Sequence, residues 1–243
     1  MSGEPVLFLG FLALGITVVA FFAYLERRRG QALRAGCARR GWSYRAEDRS
    51  LVARWELGPF EAGNSWSRSG QRARHIVSGE FEGRPFVAFE YSYTEGSGKN
   101  RTTHTYSVCA LDLPVPLPSL SIEPEGWLSR VADAVGLTDE VDVESAEFNE
   151  AFSVRATNRK FAYDVLHPRH LELLLRSPRT GWWIEGATIV AAPERSLDLD
   201  EVMGALTHLT QVVAQVPTFV WLDRGYDPGA IGTDPTTDPR STA

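Results

Sequence analysis

Two histidines and an arginine fall within four residues in "HPRH", His167 to His170. Imidazoles three positions apart can share a helix face and hold a metal or pass a proton. Asp164 and Glu172 lie close by in the sequence and would suit either task. A metal centre, however, needs at least three ligands, and Pro168 separates the histidines. Proline is accepted in the first turn of a helix and disrupts its interior. The spacing therefore predicts that "NRKFAYDVL" ends near His167 and that "PRHLELLLR" starts a new helix. His167 then sits at the cap and His170 in the first turn, with an arginine and a histidine on the polar side of a helix joint. No metal ligands are assigned.

Other chemistry-bearing patterns are missing. The chain has no GxGxxG after a strand, no GxxxxGK[ST], no HExxH and no GxSxG. Its two cysteines, Cys37 and Cys109, fit neither a disulfide framework nor a CxxC site, and two reduced thiols in a cytosolic compartment are expected. The acidic run Asp139, Glu140, Asp142, Glu144, Glu147, Glu150 lacks the glycine and the ligand spacing of a calcium loop, so a solvated face is expected. "SRSGQRARH", 67–75, could hold an anion or be a solvated basic loop. No cofactor is expected, and no catalytic residue is assigned. Two function classes remain. The leading one is a non-catalytic binding or scaffolding domain. The alternative is a hydrolase-like enzyme near lipid, using histidines such as His104, His167 and His170. They differ in whether titratable side chains converge in a concave pocket.

The elements that must position these residues begin with Val6 to Leu25, twenty residues without a charge. As a helix this run spans roughly 30 Å, the thickness of a bilayer's hydrocarbon core. The bulky, charged exit "AYLERRRG" does not resemble a signal-peptide cleavage site, and "MSGEP" is no basic leader, so an uncleaved membrane anchor is expected. Arg27, Arg28, Arg29, Arg34, Arg39 and Arg40 follow the span, and no Lys or Arg precedes it. The positive-inside rule then predicts a single-pass plasma-membrane protein with its N-terminus out and its C-terminal domain in the cytoplasm.

The net charge of −6 hides an asymmetry. Residues 27–74 carry twelve Arg against four acids, a net of +8, whereas residues 75–243 carry a net of −12. The membrane-proximal part suits an anionic leaflet. Its densest portion abuts the apolar run and lacks interleaved aromatics, so membrane lipid is the expected partner and nucleic acid is not. The distal acidic part could meet a protein partner. No small-molecule ligand can be identified.

Further along, "WSYRAED" predicts a strand, and 49–70 is poorly periodic. "HIVSGEFEGRPFVAFEYSYT" predicts a hairpin, with Val87, Phe89, Tyr91 and Tyr93 on one face and Glu90 and Ser92 on the other. "TTHTYSVCALDL" predicts a third strand. The prolines of "PVPLPSLSIEPE" predict an edge or extended segment, or a connector. "GWLSRVADAVGL", "SAEFNEAF", "NRKFAYDVL" and "RHLELLLR" predict helices. "WWIEGATIVAA" predicts a second hairpin bending at Gly186. "DLDEVMGALTHLTQVVAQVP" predicts a helix capped by Asp198 and Glu201 and ended by Pro217, with Val202, Leu206, Leu209, Val213 and Val216 on one face. The expected fold class is α+β, with one N-terminal transmembrane helix followed by an antiparallel sheet packed on helices. The expected organisation is an anchor at 1–26, a basic stalk at 27–41 interrupted by Gly36 and Gly41, an α+β domain at 42–222 and a disordered tail at 223–243.

The stretch "SAEFNEAFSVRATNRKFAYDVLHPRHLELLL" carries a resemblance. It runs E-F-N, then F-x-V, a short helix with Ala162, L-x-P-R and a Leu-rich helix. With "SGEFEGRPFVAFEYSYT", "LDLPVPLPSLSIEPE" and the final amphipathic helix, this is similar to the bacterial family called domain of unknown function 3137, in the Arg-rich form found in actinobacteria. The likeness covers roughly residues 70–217. It implies a membrane-linked bacterial protein and no particular activity. The composition of two Lys against twenty-three Arg suits a GC-rich genome.

Overall fold

The structure is a computed structural model that describes residues 4–60, 68–96, 98–124, 139–177 and 180–229. Helix α1 (Glu4–Arg39) runs unbroken from the apolar stretch into the arginine-rich one. Gly36 does not interrupt it. A Cβ at that position would overlap Leu199 Cδ1, so the glycine permits close packing on a later helix. Gly41, with φ of +71°, ends α1. Trp42 N–H donates to Cys37 O at 2.9 Å and Gly41 N–H to Ala38 O at 3.3 Å, the paired closure in which a left-handed glycine satisfies the last carbonyls. Leu33 and Cys37 are buried in the main core. Residues 27–41, expected as a stalk, thus lie on the folded domain, 27–39 as the second half of α1 and 40–41 in the turn that ends it.

The sheet holds β1 (Ser43–Glu47), β2 (Arg68–Phe81), β3 (Arg84–Glu95), β4 (Thr102–Pro124), β5 (Asp139–Glu140), β6 (Phe152–Ala156) and β7 (Trp182–Ala191). The order is β1-β2-β3-β4-β6-β5, with β7 also on β4, and every pair is antiparallel. Strand β4 organises the sheet. Its first half pairs with β3, its last residues pair with β6, and β7 runs along its other edge. The β2–β3 hairpin turns at Glu82 and Gly83, both with positive φ, as a tight two-residue turn requires.

Three expectations are corrected. The proline-rich segment is extended but is neither an edge nor a connector, because it continues β4, and Leu120 to Ile122 are paired on both sides. Pro114 and Pro116 fall where the β4–β7 register slips between Asp112 and Leu117, so their missing N–H groups break no ladder. The segment 182–191 is one strand rather than a hairpin; Gly186, with φ of +59°, sits at that same slip and accommodates a bulge. Most of 67–75 is strand β2 rather than a loop.

Helices cover one face of the sheet. They are α2 (Ala146–Ala151), α3 (Arg159–Val165), α4 (Pro168–Arg176), α5 (Leu199–Ala214), α6 (Thr218–Leu222) and the second half of α1. Ser145, Asn158 and Asp198 cap α2, α3 and α5 with side-chain oxygens. The predicted α5 stripe is buried. Residues 49–60 cover the other face, where Trp55 stacks on Phe89 at 5.9 Å and Phe60 meets Tyr91 at 4.6 Å. The Glu185 carboxylate accepts from Glu56 N and Leu57 N at 2.9 and 3.3 Å, and the Trp55 indole donates to Thr188 Oγ1 at 2.9 Å. The molecule is therefore α+β with an antiparallel sheet packed on helices, as expected.

The helix expected within 126–137 and residues 230–243 of the expected tail lie outside the described residues. Tyr226 rests edge-on against Trp221. Among the described residues, no helix is long and apolar enough to cross a membrane. The expected span is described only in part, since the side chains of residues 1–11 are not included. From Leu12 to Leu25 every side chain is exposed, Val19 at 69% and Phe22 at 65%.

Candidate functional site

Titratable side chains converge where α1 meets β1 and β2. Glu26 is the first residue beyond the exposed apolar stretch. Its Oε1 lies 3.1 Å from His75 Nε2 and 3.2 Å from Arg74 Nη1. The other ring nitrogen of His75, Nδ1, lies 2.9 Å from the Tyr44 hydroxyl. A carboxylate can only accept, so a neutral His75 carries its proton on Nε2 and donates it to Glu26. Nδ1 then accepts from the Tyr44 O–H. Burial pushes the Tyr44 pKa up, outweighing the Arg34 guanidinium that pulls it down, so the hydroxyl keeps its proton.

His75 is 5% exposed and has φ of +53°, beside a register slip between Arg74 and Val77. A bulge redirects a side chain, and a non-glycine residue held in the left-handed region marks a conformation imposed by its surroundings. Here the consequence is an imidazole that reaches Glu26 of α1 and lines a cavity of about 350 Å³. Arg27 and Arg34 line this cavity from the helix, with Gly30 between them. Seven residues apart, the two arginines share one helix face. A Cβ on Gly30 would lie 3.1 Å from the Tyr44 hydroxyl and 3.8 Å from His75 Cε1.

A second polar contact locks α1 next to this cavity. Arg29 Nη2 lies 2.5 Å from Glu90 Oε2 and donates to Leu197 O at 3.0 Å, and Glu90 Oε2 accepts from Leu197 N at 3.1 Å. Burial alone would raise the Glu90 pKa. The hydrogen bonds from Arg29 and Leu197, with the Arg29 charge, outweigh it and hold the carboxyl below its ordinary range. Glu90 projects to this side because it alternates with Phe89 and Tyr91, which face the opposite core.

The six expected membrane-proximal arginines therefore divide. Arg27 and Arg34 line the cavity, and Arg29 enters the ion pair. Arg40 pairs with Asp200 at 2.6 Å and lies over Trp42. Arg28 and Arg39 are exposed.

The histidines have separate partners. His104 lies 2.8 Å from Glu194 and stacks on Tyr93. His167 caps α4, with Pro168 at its start, and donates to Gln215 O at 3.0 Å. His170 is fully buried, stacks on Trp182 and donates from Nδ1 to Val165 O at 2.8 Å. Burial, against the pull of that carbonyl, lowers its pKa to about 4. "HPRH" is thus a helix joint in which Arg169 is exposed, His167 is half-buried and His170 enters the core. Asp164 pairs with Lys160 and Glu172 with Arg176. Among the described residues, no three His, Cys, Asp or Glu side chains are grouped to hold a metal ion. Cys37 and Cys109 are free and buried, and burial pushes the Cys109 thiol up to about 12.

Sequence reasoning missed the Glu26–His75–Tyr44 chain because 49 residues separate Glu26 from His75 and no local motif joins them. The usable signal was periodic. Glu26, Arg27, Gly30 and Arg34 recur at helical spacing, which sets a gap in side-chain bulk among charges.

No family model matches the chain, and no curated protein matches it. Among solved structures, the chain is similar to the crystal structure of the mycobacterial trehalose monomycolate transport factor A, TtfA, with a TM-score of 0.53 and 16% identity over 77% of this chain and 96% of that one. At that identity the likeness extends to the fold.

Proposed function

We propose that this is a single-pass membrane protein of the plasma membrane whose cytoplasmic α+β domain acts by binding or scaffolding. One observation carries this reading. A single helix, α1, exposes every side chain from Leu12 to Leu25 and then, without a break, docks through Arg29, Leu33 and Cys37. Fourteen successive exposed positions rich in Leu, Val, Ile and Phe are unfavourable in water and suited to lipid. The arginines that follow support a cytoplasmic domain. TtfA, a protein of similar fold, is called a transport factor, which favours a protein partner. The similarity to the family called domain of unknown function 3137 belongs to the same reading.

The enzyme alternative has one observation in its favour, namely that Glu26, Tyr44 and His75 meet at a cavity. Against it, the three side chains are hydrogen-bonded to one another and the remaining charged lining groups are arginines. Binding therefore stays the leading function.

Fractionation tests the anchor. The full chain should resist alkaline extraction from membranes and be released by detergent, and the double variant Val18→Arg/Phe21→Arg should appear in the soluble fraction. Orientation is read with Ser2→Cys and Lys99→Cys. An impermeant maleimide should label the first in intact cells and the second only after lysis, and the reverse pattern would sink the topology. Esterase or phosphoesterase turnover by the detergent-solubilised chain, abolished in Tyr44→Phe, would move the function to the enzyme class.

A further inference from the structure

We propose that the cavity between α1 and the β1–β2 edge is a binding site for a phosphoryl oxyanion, presented at the bilayer surface by a lipid headgroup. The inference rests on the anchored reading for the source of the phosphate, though not for the chemistry of the site. Four observations carry it.

The first is charge. Three guanidiniums, Arg27, Arg34 and Arg74, line the cavity with a single carboxylate, Glu26. That carboxylate is already engaged by Arg74 at 3.2 Å and His75 at 3.1 Å. Among the described residues Arg27 and Arg34 form no ion pair, and Arg34 lies over the Tyr44 ring at 5.5 Å. Planar guanidinium forks suit phosphate oxygens.

The second is space. Gly30 sits between the two arginines, and any side chain there would press on the Tyr44 hydroxyl. At about 350 Å³ the cavity falls in the lower part of the range for small-molecule sites, roughly 300–1,000 Å³.

The third is conformation. His75 holds a left-handed backbone beside a bulge, which aims its ring at the cavity. Pairing Glu26 alone would not need it, since Arg74 already reaches the same oxygen.

The fourth is position. Arg27 is two residues beyond Leu25, where the exposed apolar stretch ends, and Arg34 is about 12 Å further along than Glu26 at helical rise. That interval overlaps the headgroup layer, which adds roughly 5–8 Å to each side of the hydrocarbon core.

The test uses the full chain and two probes. One is phosphatidylglycerol in nanodiscs, measured against phosphatidylcholine nanodiscs by native mass spectrometry of retained lipid. The other is inorganic phosphate titrated into the detergent-solubilised chain and followed by NMR of the His75 ring. The cavity double Arg27→Gln/Arg34→Gln is compared with the exposed double Arg28→Gln/Arg39→Gln, which removes equal charge from the same helix outside the cavity. The cavity double should bind about tenfold more weakly, as expected for lost charge-assisted hydrogen bonds, while the exposed double stays near wild type. Gly30→Leu, which fills the cavity and leaves every charge in place, should match the cavity double. Selective retention of phosphatidylglycerol assigns the headgroup as the source. A response to inorganic phosphate without lipid retention assigns a soluble phosphate and overturns the lipid source. Equal weakening in both doubles, or full binding in Gly30→Leu with its fold intact by circular dichroism, overturns the site. Loss of membrane retention by the wild-type chain would instead overturn the anchor, and the phosphate titration would still report on the cavity.

Discussion

Glu90 shows how one side chain couples the first helix to the rest of the molecule. It is nearly buried, yet ionised, because Arg29 and the Leu197 N–H both meet the same oxygen. Glu90→Gln leaves a half-buried guanidinium without its counter-charge and should destabilise the fold by about 1–3 kcal/mol. Faster amide exchange over residues 26–39 would localise the effect. The pH dependence has a definite sign. The folded-state pKa of Glu90 is depressed, so its contribution is complete above the unfolded carboxylate value of about 4.3. It is lost as the pH falls through the lower folded value. His170 acts in the same direction over a higher window. Buried neutral with a pKa of about 4, it cannot take the proton that the unfolded chain accepts near 6.5. Stability should therefore fall by about 1.4 kcal/mol per pH unit between those values. His208, also lowered by burial, adds to the slope. Urea titrations from pH 7 to 4.5 should show this decline, and His170→Gln should flatten it.

At the scale of elements, close approach decides what fits. Gly36 lets α1 lie against α5, and Gly36→Val should separate them, lowering Tm and exposing Cys37 to a thiol reagent that leaves wild type unmodified. On the opposite face, Trp55 anchors the 49–60 segment through Phe89, Phe60 and Thr188. Trp55→Ala should destabilise by about 3–5 kcal/mol, measured by chemical unfolding. Neither contact was legible in the sequence, where Gly36 was expected to interrupt a stalk, whereas other elements were. Helices α2 to α5 were legible because caps and stripes are local: Pro168 and Asp198 each act within four residues. The β2–β3 hairpin was legible because Val87 to Tyr93 alternate. The 49–60 segment was not, since its aromatic residues follow no period and are placed by the sheet they cover. Strand β7 was misread because a glycine with positive φ serves a bulge as well as a bend, and only the partner strand distinguishes them. Prolines in β4 misled for a related reason: a register slip removes the ladder that they would otherwise break. The cavity at Glu26 lay beyond local reading altogether, since its walls come from α1, β1 and β2.

For the whole molecule, the decisive property is that α1 has no joint. The exposed apolar half and the docked half are one helix of 36 residues. Each residue of an α-helix advances 1.5 Å and turns about 100°. Whatever grips the first half therefore sets not only the height of the domain but its compass bearing about the helix axis. One alanine inserted between Leu25 and Glu26 should swing the sheet through about 100° while barely lifting it, and a second should carry it most of the way to the far side. Four should bring the bearing back to within about 40° at an added height of about 6 Å. A partner that reads the domain from a fixed azimuth would lose one- and two-residue insertions and tolerate four. Crosslinking yield in native membranes would then oscillate with insertion length, whereas a freely swivelling tether would give a flat line.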